Sequence, residues 1–136
     1  MTHSHDAMTE ELYRETILDH NANPRNNGPL DDASFSEASL NPSCGDRFTL
    51  HVKLSEDGSS VEAVRFEGIG CAISTASMSL FSEKLTGMSA EEVRQLDKQF
   101  VYDLLGVPIS AAREKCALVS LKTAQTGLRL FEGRDA

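Results

Sequence analysis

Three cysteines stand at positions 44, 71 and 116, an odd count that does not suit the disulfide framework of a short secreted domain. They lie too far apart along the chain to form a local metal knuckle, so any joint site has to be assembled by the fold. On spacing alone they would read as small buried hydrophobes. Their local contexts change that reading. Cys44 sits in Asn41-Pro42-Ser43-Cys44-Gly45-Asp46. Pro42 and Gly45 are turn formers, so this segment is a loop, and positive φ at Gly45 would turn Cys44 and Asp46 toward one point. A thiolate next to a carboxylate makes half a site for zinc or ferrous iron. Cys71 follows Gly68-Ile69-Gly70 and precedes a helical pattern, and a helix N-terminus favours an anionic thiolate. Cys116 falls in Ala112-Arg113-Glu114-Lys115-Cys116, expected about two turns into the last helix. Arg113, three residues earlier, would share its face. There it would offset the charge of several thiolates or guide an anionic sulfur species; the alternative is a solvated cation.

Cys44, Asp46, Cys71 and Cys116 together form a candidate set of three soft donors and one hard one. Zinc accepts such a tetrahedral set. Iron–sulfur clusters usually take thiolates, and an Asp in the fourth place would hold a cluster weakly. Weak holding is a fault in an electron carrier and an advantage in a protein that must release its cargo. The chain has no CxxC pair, so neither a ferredoxin nor a zinc ribbon fits.

The elements that position these residues can be read from periodicity. Met8 to Asn21 suggests an amphipathic helix with Thr9 as N-cap and Leu12, Ile17 and Leu18 as its apolar stripe. Pro24, Asn26, Asn27 and Gly28 stop it. A short strand is expected from Phe35 to Leu40. From Arg47 to Leu54, Phe48, Leu50, Val52 and Leu54 alternate with polar residues, the pattern of a half-buried antiparallel strand. His51 falls on the polar face and is expected to be solvated. After a turn at Glu56-Asp57-Gly58-Ser59, Val61 to Phe66 returns as a third strand. Beyond Cys71, Ile73, Ala76, Leu80 and Phe81 follow a helical period toward Gly87. Ser89 and Glu92 have capping-box spacing, and Val93, Leu96, Phe100 and Leu104 predict one helix to Gly106. A last helix is expected from Ser110 to Phe131, burying Ala117, Leu121, Ala124 and Leu128. Strands followed by a run of helices indicate an α+β domain, here a three-stranded antiparallel sheet packed against helices.

The 136 residues suit a single domain over 8–136, with 1–7 expected as a flexible polar tail. The 13 basic and 21 acidic residues give a net charge of −8, which argues against a nucleic-acid partner. No apolar run is long enough to span a membrane, and the first residues lack an apolar signal core. A cytoplasmic location with reduced thiols is therefore expected.

The sequence resembles the IscU/SufU/NifU N-terminal family of iron–sulfur cluster assembly scaffold proteins. The resemblance is carried by Glu11-Leu12-Tyr13 with Ile17-Leu18-Asp19-His20, by Pro24-Arg25-Asn26 with Gly28, and by the three cysteine contexts. These contexts are Asn41-Pro42-Ser43-Cys44-Gly45-Asp46, Gly68-Ile69-Gly70-Cys71-Ala72-Ile73-Ser74 with Ala76-Ser77, and Ala112-Arg113-Glu114-Lys115-Cys116. It implies a three-stranded sheet packed by helices, with the cysteine loops meeting at one end. It further implies a scaffold that takes sulfur from a cysteine desulfurase, binds iron, carries a transient 2Fe–2S cluster and passes it to recipient apo iron–sulfur proteins. Cys44, Asp46, Cys71 and Cys116 would be the ligands. The alternative within the family is a zinc-dependent sulfurtransferase, in which zinc sits on those residues, Cys44 accepts the persulfide and Arg113 assists. A third reading makes the zinc purely structural and the protein an interaction module. The wording of the motifs is nearer to the SufU branch, and Lys115 stands where IscU proteins carry a histidine. The interval from Cys71 to Cys116 is, however, too short for the extra segment of SufU proteins. IscU's Leu-Pro-Pro-Val-Lys chaperone segment is replaced here by Val107-Pro108-Ile109-Ser110. Tyr13 and the first helix would face the desulfurase, and His20 is expected to be structural.

Overall fold

The computed structural model describes residues 3–41 and 45–133, with side chains described for 11–39 and 45–133. The first helix, α1 (His3–Ala22), begins ahead of Met8, and nothing in His3-Ser4-His5-Asp6-Ala7 breaks a helix. Its inward face is Tyr13, Thr16, Ile17 and His20, an i, i+3, i+4, i+7 stripe on which Ile17 and His20 are buried. The expected stripe is corrected at two positions, since Leu12 and Leu18 lie about 60% exposed on the outside. A stripe written as 12, 17, 18 spreads over the helix circumference, and the packing surface selected the side carrying Ile17.

Three strands follow as a meander: β1 (Phe35–Asn41), β2 (Asp46–Leu54) and β3 (Val61–Ile69), in spatial order β1-β2-β3 and antiparallel throughout. The β1–β2 register runs from Phe35 opposite Val52 to Asn41 opposite Asp46. In β2 the core-facing positions are Asp46, Phe48, Leu50, Val52 and Leu54, all buried. Asp46 therefore enters the interior on the same period of two that buries the apolar residues. Phe48 meets Phe66 of β3 edge to face, with ring centroids 6.0 Å apart.

The central helix, α2 (Ala72–Leu85), covers the core face of the sheet. It is enclosed on more than one side. Ala76, Met78, Phe81 and Leu85 are buried, and so are Ser74, Ser77, Ser79 and Ser82, whereas Ile73 and Leu80 are only half-buried. Small serines let neighbouring chain approach closely and supply hydrogen bonds where it does. Ser79 Oγ lies 2.6 Å from His20 Nδ1 and accepts the Arg25 amide, tying α1 and the following loop to α2.

Two expected helices are each divided. The span from Ser89 to Gly106 forms α3 (Ala90–Gln95) and α4 (Lys98–Leu105). The Ser89/Glu92 capping box opens α3 as expected. The break follows from Asp97, which caps α4 through the Phe100 amide, and from Gln125, whose Nε2 donates to the carbonyls of Val93 and Leu96. The last span forms a 3₁₀ turn (Ala111–Arg113), a four-residue helix α5 (Glu114–Ala117) and α6 (Val119–Phe131). Ala117, Leu121, Ala124 and Leu128 are buried, as their spacing implies. The α+β architecture with a three-stranded antiparallel sheet is the one expected.

Candidate metal centre

Three of the four candidate ligands converge. One ligand atom each from Asp46, Cys71 and Cys116 lies within 4.8 Å of the others. The carboxylate comes from the first residue of β2, one cysteine sulfur from the residue before α2 and the other from α5. Asp46 and Cys116 are buried, and Cys71 is half-exposed. The fourth candidate, Cys44, lies outside the described residues. Its neighbour Gly45 has φ of 71°, the left-handed conformation the motif was expected to need.

Local chemistry explains each placement. Cys71 is the N-cap of α2, and its Sγ accepts the Ser74 amide at 3.4 Å. Asp46 Oδ1 accepts the Cys71 amide at 3.3 Å and the Ser74 hydroxyl at 2.8 Å. The carboxylate thus satisfies backbone donors at the same helix N-terminus that the thiol caps. Gly70 makes this approach possible: a Cβ there would run into Ser74 Oγ, Asp46 Oδ1 and the Phe48 ring. Gly68, at φ of 130°, lies against the Arg47 carbonyl with no room for a Cβ. Cys116 is held from behind, because Ser77 Oγ donates to the Ala117 carbonyl at 2.7 Å and meets Ser120 Oγ at the same distance. From α4, Tyr102 donates to Glu114 Oε2 at 2.7 Å; that bond holds the tyrosine's pKa above its ordinary value and the Glu114 carboxyl below.

The donor set fits a metal ion. Asp46 Oδ2 is buried without a hydrogen-bond partner among the described residues. A carboxylate oxygen removed from water and left unpaired is unfavourable, and a cation held together with cysteine sulfur would resolve it. Carboxylate and thiolate donors together suit zinc or ferrous iron.

Other expectations fare differently. Cys116 is not about two turns into a continuous helix: it is the third residue of α5, which follows the 3₁₀ turn. Arg113 ends the 3₁₀ turn, is exposed and forms no ion pair among the described residues. His51 lies on the outer face of the sheet, partly exposed and hydrogen-bonded at both ring nitrogens. Its Nδ1 is hydrogen-bonded to Ser36 Oγ at 2.7 Å and its Nε2 to Glu67 Oε1 at 2.8 Å, spanning all three strands. Tyr13 packs its ring over Gly106, where no side chain could fit. Ser74 was not singled out by sequence, although its place three residues beyond Cys71 is the N3 position of a helix capped by that cysteine.

Residues 12–136 match the family model described as the NifU-like N terminal domain. The chain belongs to this family. It is 39% identical to the zinc-dependent sulfurtransferase SufU of Bacillus subtilis (strain 168), covering 96% of this chain and 98% of that protein. That match runs over 147 residues, more than the 136 present here, so the Bacillus protein has residues without a counterpart in this family member. The iron-sulfur cluster assembly scaffold protein IscU of Thermotoga maritima is 35% identical, covering 87% of this chain and 93% of its own. The crystal structure of SufU from Fervidobacterium islandicum AW-1 superposes with a TM-score of 0.74 at 27% identity, covering 88% and 98% of the two chains.

Proposed function

We propose that this protein serves iron–sulfur cluster assembly as a scaffold that receives sulfur from a cysteine desulfurase, gathers iron and releases a transient 2Fe–2S cluster to apoproteins. The observation that carries this reading is the convergence of Asp46, Cys71 and Cys116 around a carboxylate oxygen that has no hydrogen-bond partner among the described residues. Cys44 completes the set through its motif beside Asp46. Its neighbour Gly45 is exposed, which suits a thiol that must reach a partner's active site. The Cys44 thiolate attacks the terminal sulfur of the desulfurase persulfide. A new S–S bond forms on Cys44, the persulfide S–S bond breaks, and the desulfurase cysteine leaves as thiolate. Asp46 as the hard donor keeps a bound cluster labile enough to pass on. A compartment with reduced thiols, the cytoplasm, suits this chemistry. None of the described helices is long and apolar enough to cross a membrane.

Likeness to the Bacillus zinc-dependent sulfurtransferase along nearly the whole of both chains favours a second reading. Zinc held by Cys44, Asp46, Cys71 and Cys116 would then fix the geometry, and Cys44 would accept the persulfide as the end of the protein's task.

Anaerobic reconstitution with iron, cysteine and a cysteine desulfurase separates the two. Visible charge-transfer bands of a 2Fe–2S centre, followed by transfer to an apoferredoxin, are expected for the scaffold. Retained zinc, no cluster and faster desulfurase turnover would replace the scaffold with the sulfur acceptor.

A further inference from the structure

Ser74 is fully buried at the N-terminus of α2, and its hydroxyl has three acceptors in reach. Asp46 Oδ1 is at 2.8 Å, the Cys71 carbonyl at 3.0 Å and Cys71 Sγ at 3.4 Å. One hydroxyl proton serves one acceptor well, and the shortest contact is to the carboxylate, the partner that gains most from a charge-assisted bond. Oδ1 also takes the Cys71 amide, so its lone pairs are both engaged. Oδ2, on the same carboxylate, has none engaged among the described residues.

We infer that Ser74 is a positioning residue for the metal centre: its hydroxyl occupies Oδ1 of Asp46 and leaves Oδ2 as the single oxygen presented to the ion. The inference rests on the proposed metal-binding reading and adds how the one hard ligand is aimed. Without the hydroxyl, only the longer Cys71 amide contact orients the carboxylate, which can rotate and offer either oxygen or both. Outer-shell partners of ligating carboxylates act in this way, and losing one typically weakens metal binding roughly 10–100-fold. Gly70 keeps this corner open to the pair, since a Cβ there would run into both Ser74 Oγ and Asp46 Oδ1.

The test is a double-mutant cycle on the full chain with zinc alone, its affinity measured by chelator competition, and with Co²⁺ as a spectroscopic probe. Ser74→Ala should lower zinc affinity about 10–100-fold. In an Asp46→Ala background the same change should alter affinity less than about twofold, because Ser74 acts through Asp46. The Co²⁺ ligand-field bands should shift in Ser74→Ala while thiolate-to-metal charge transfer keeps its intensity, since the cysteines still bind. An equal loss in both backgrounds, or loss of the charge-transfer bands, would make Ser74 a general structural residue and overturn the inference. Unchanged affinity in Ser74→Ala where Asp46→Ala still weakens binding would overturn it alone. Unchanged affinity in Asp46→Ala would remove the metal-site reading and this inference with it.

Discussion

At the residue scale, the proposed chemistry turns on a buried carboxylate beside two cysteine sulfurs. Removing the carboxylate by Asp46→Ala should weaken zinc binding by more than the roughly 10–100-fold typical of an outer-shell loss, since a direct ligand disappears. Chelator competition measures this. Cys44→Ser should abolish sulfur acceptance from a desulfurase, followed by mass spectrometry of the persulfide; undiminished labelling would place the entry thiol elsewhere. His20 offers a prediction independent of the metal. Burial, with the Arg25 charge second, lowers its pKa below 6.5, so the folded protein holds it neutral. The unfolded chain then binds more protons between the folded value and 6.5, and stability rises with pH across that window. Thermal melts should show Tm falling as pH drops from about 7 through the histidine range, and His20→Gln should flatten that segment. At lower pH the depressed carboxyls of Asp19, Glu114 and Asp57, the last at about 2, add losses of the same sign as each is protonated.

At the scale of elements, the site depends on β2, β3 and α2 meeting without side chains in the way. Gly70→Ala should destabilise the fold by roughly 1–3 kcal/mol, because its Cβ has to displace Asp46, Ser74 or Phe48. It should also weaken zinc binding, which urea denaturation and chelator competition would report separately. Gln125→Ala supplies the contrast. It strips donors from the Val93 and Leu96 carbonyls and should lower stability by about 1–3 kcal/mol with zinc affinity unchanged. These elements were legible in sequence to different depths. Alternation at 48, 50, 52 and 54 identified β2, and extending it by two residues puts Asp46 indoors. The Cys71 cap was readable because glycines precede it and a helical period follows. The two helix breaks were not, because Val93, Leu96, Phe100 and Leu104 keep a helical period straight through Asp97. What breaks the chain there is Gln125, distant in sequence. The break at Leu118 is likewise supported from α2, by Ser77 on the Ala117 carbonyl.

For the whole molecule, the question is whether the metal holds the fold together or sits on a fold that stands without it. The core runs from Ile17 through the inner faces of β2 and β3 to Phe81, Val101 and Leu128, all apolar and all buried without any metal. Asp46, Cys71 and Cys116 lie at the end of the sheet where Asn41 pairs with Asp46, and there β2, the start of α2 and α5 come together. Burial of that core supplies the main driving force, so the apo protein should remain folded and unfold in one cooperative transition. A purely structural zinc predicts the opposite, an unfolded apo chain, as in small domains whose folding energy is metal binding. Zinc should still raise Tm, because an ion bound only by the native state stabilises it by mass action. At a free concentration one hundred times Kd the gain is about 2.7 kcal/mol, and for a chain of this size that is roughly 10 °C. Melting the chelator-treated protein by circular dichroism, with and without added zinc, measures both quantities. A cooperative apo transition with a zinc-dependent upward shift, lost in Asp46→Ala, describes a site built for exchange on a self-sufficient scaffold. An apo protein without a transition would assign the metal to the fold and leave sulfur and cluster transfer without a pre-formed place to act.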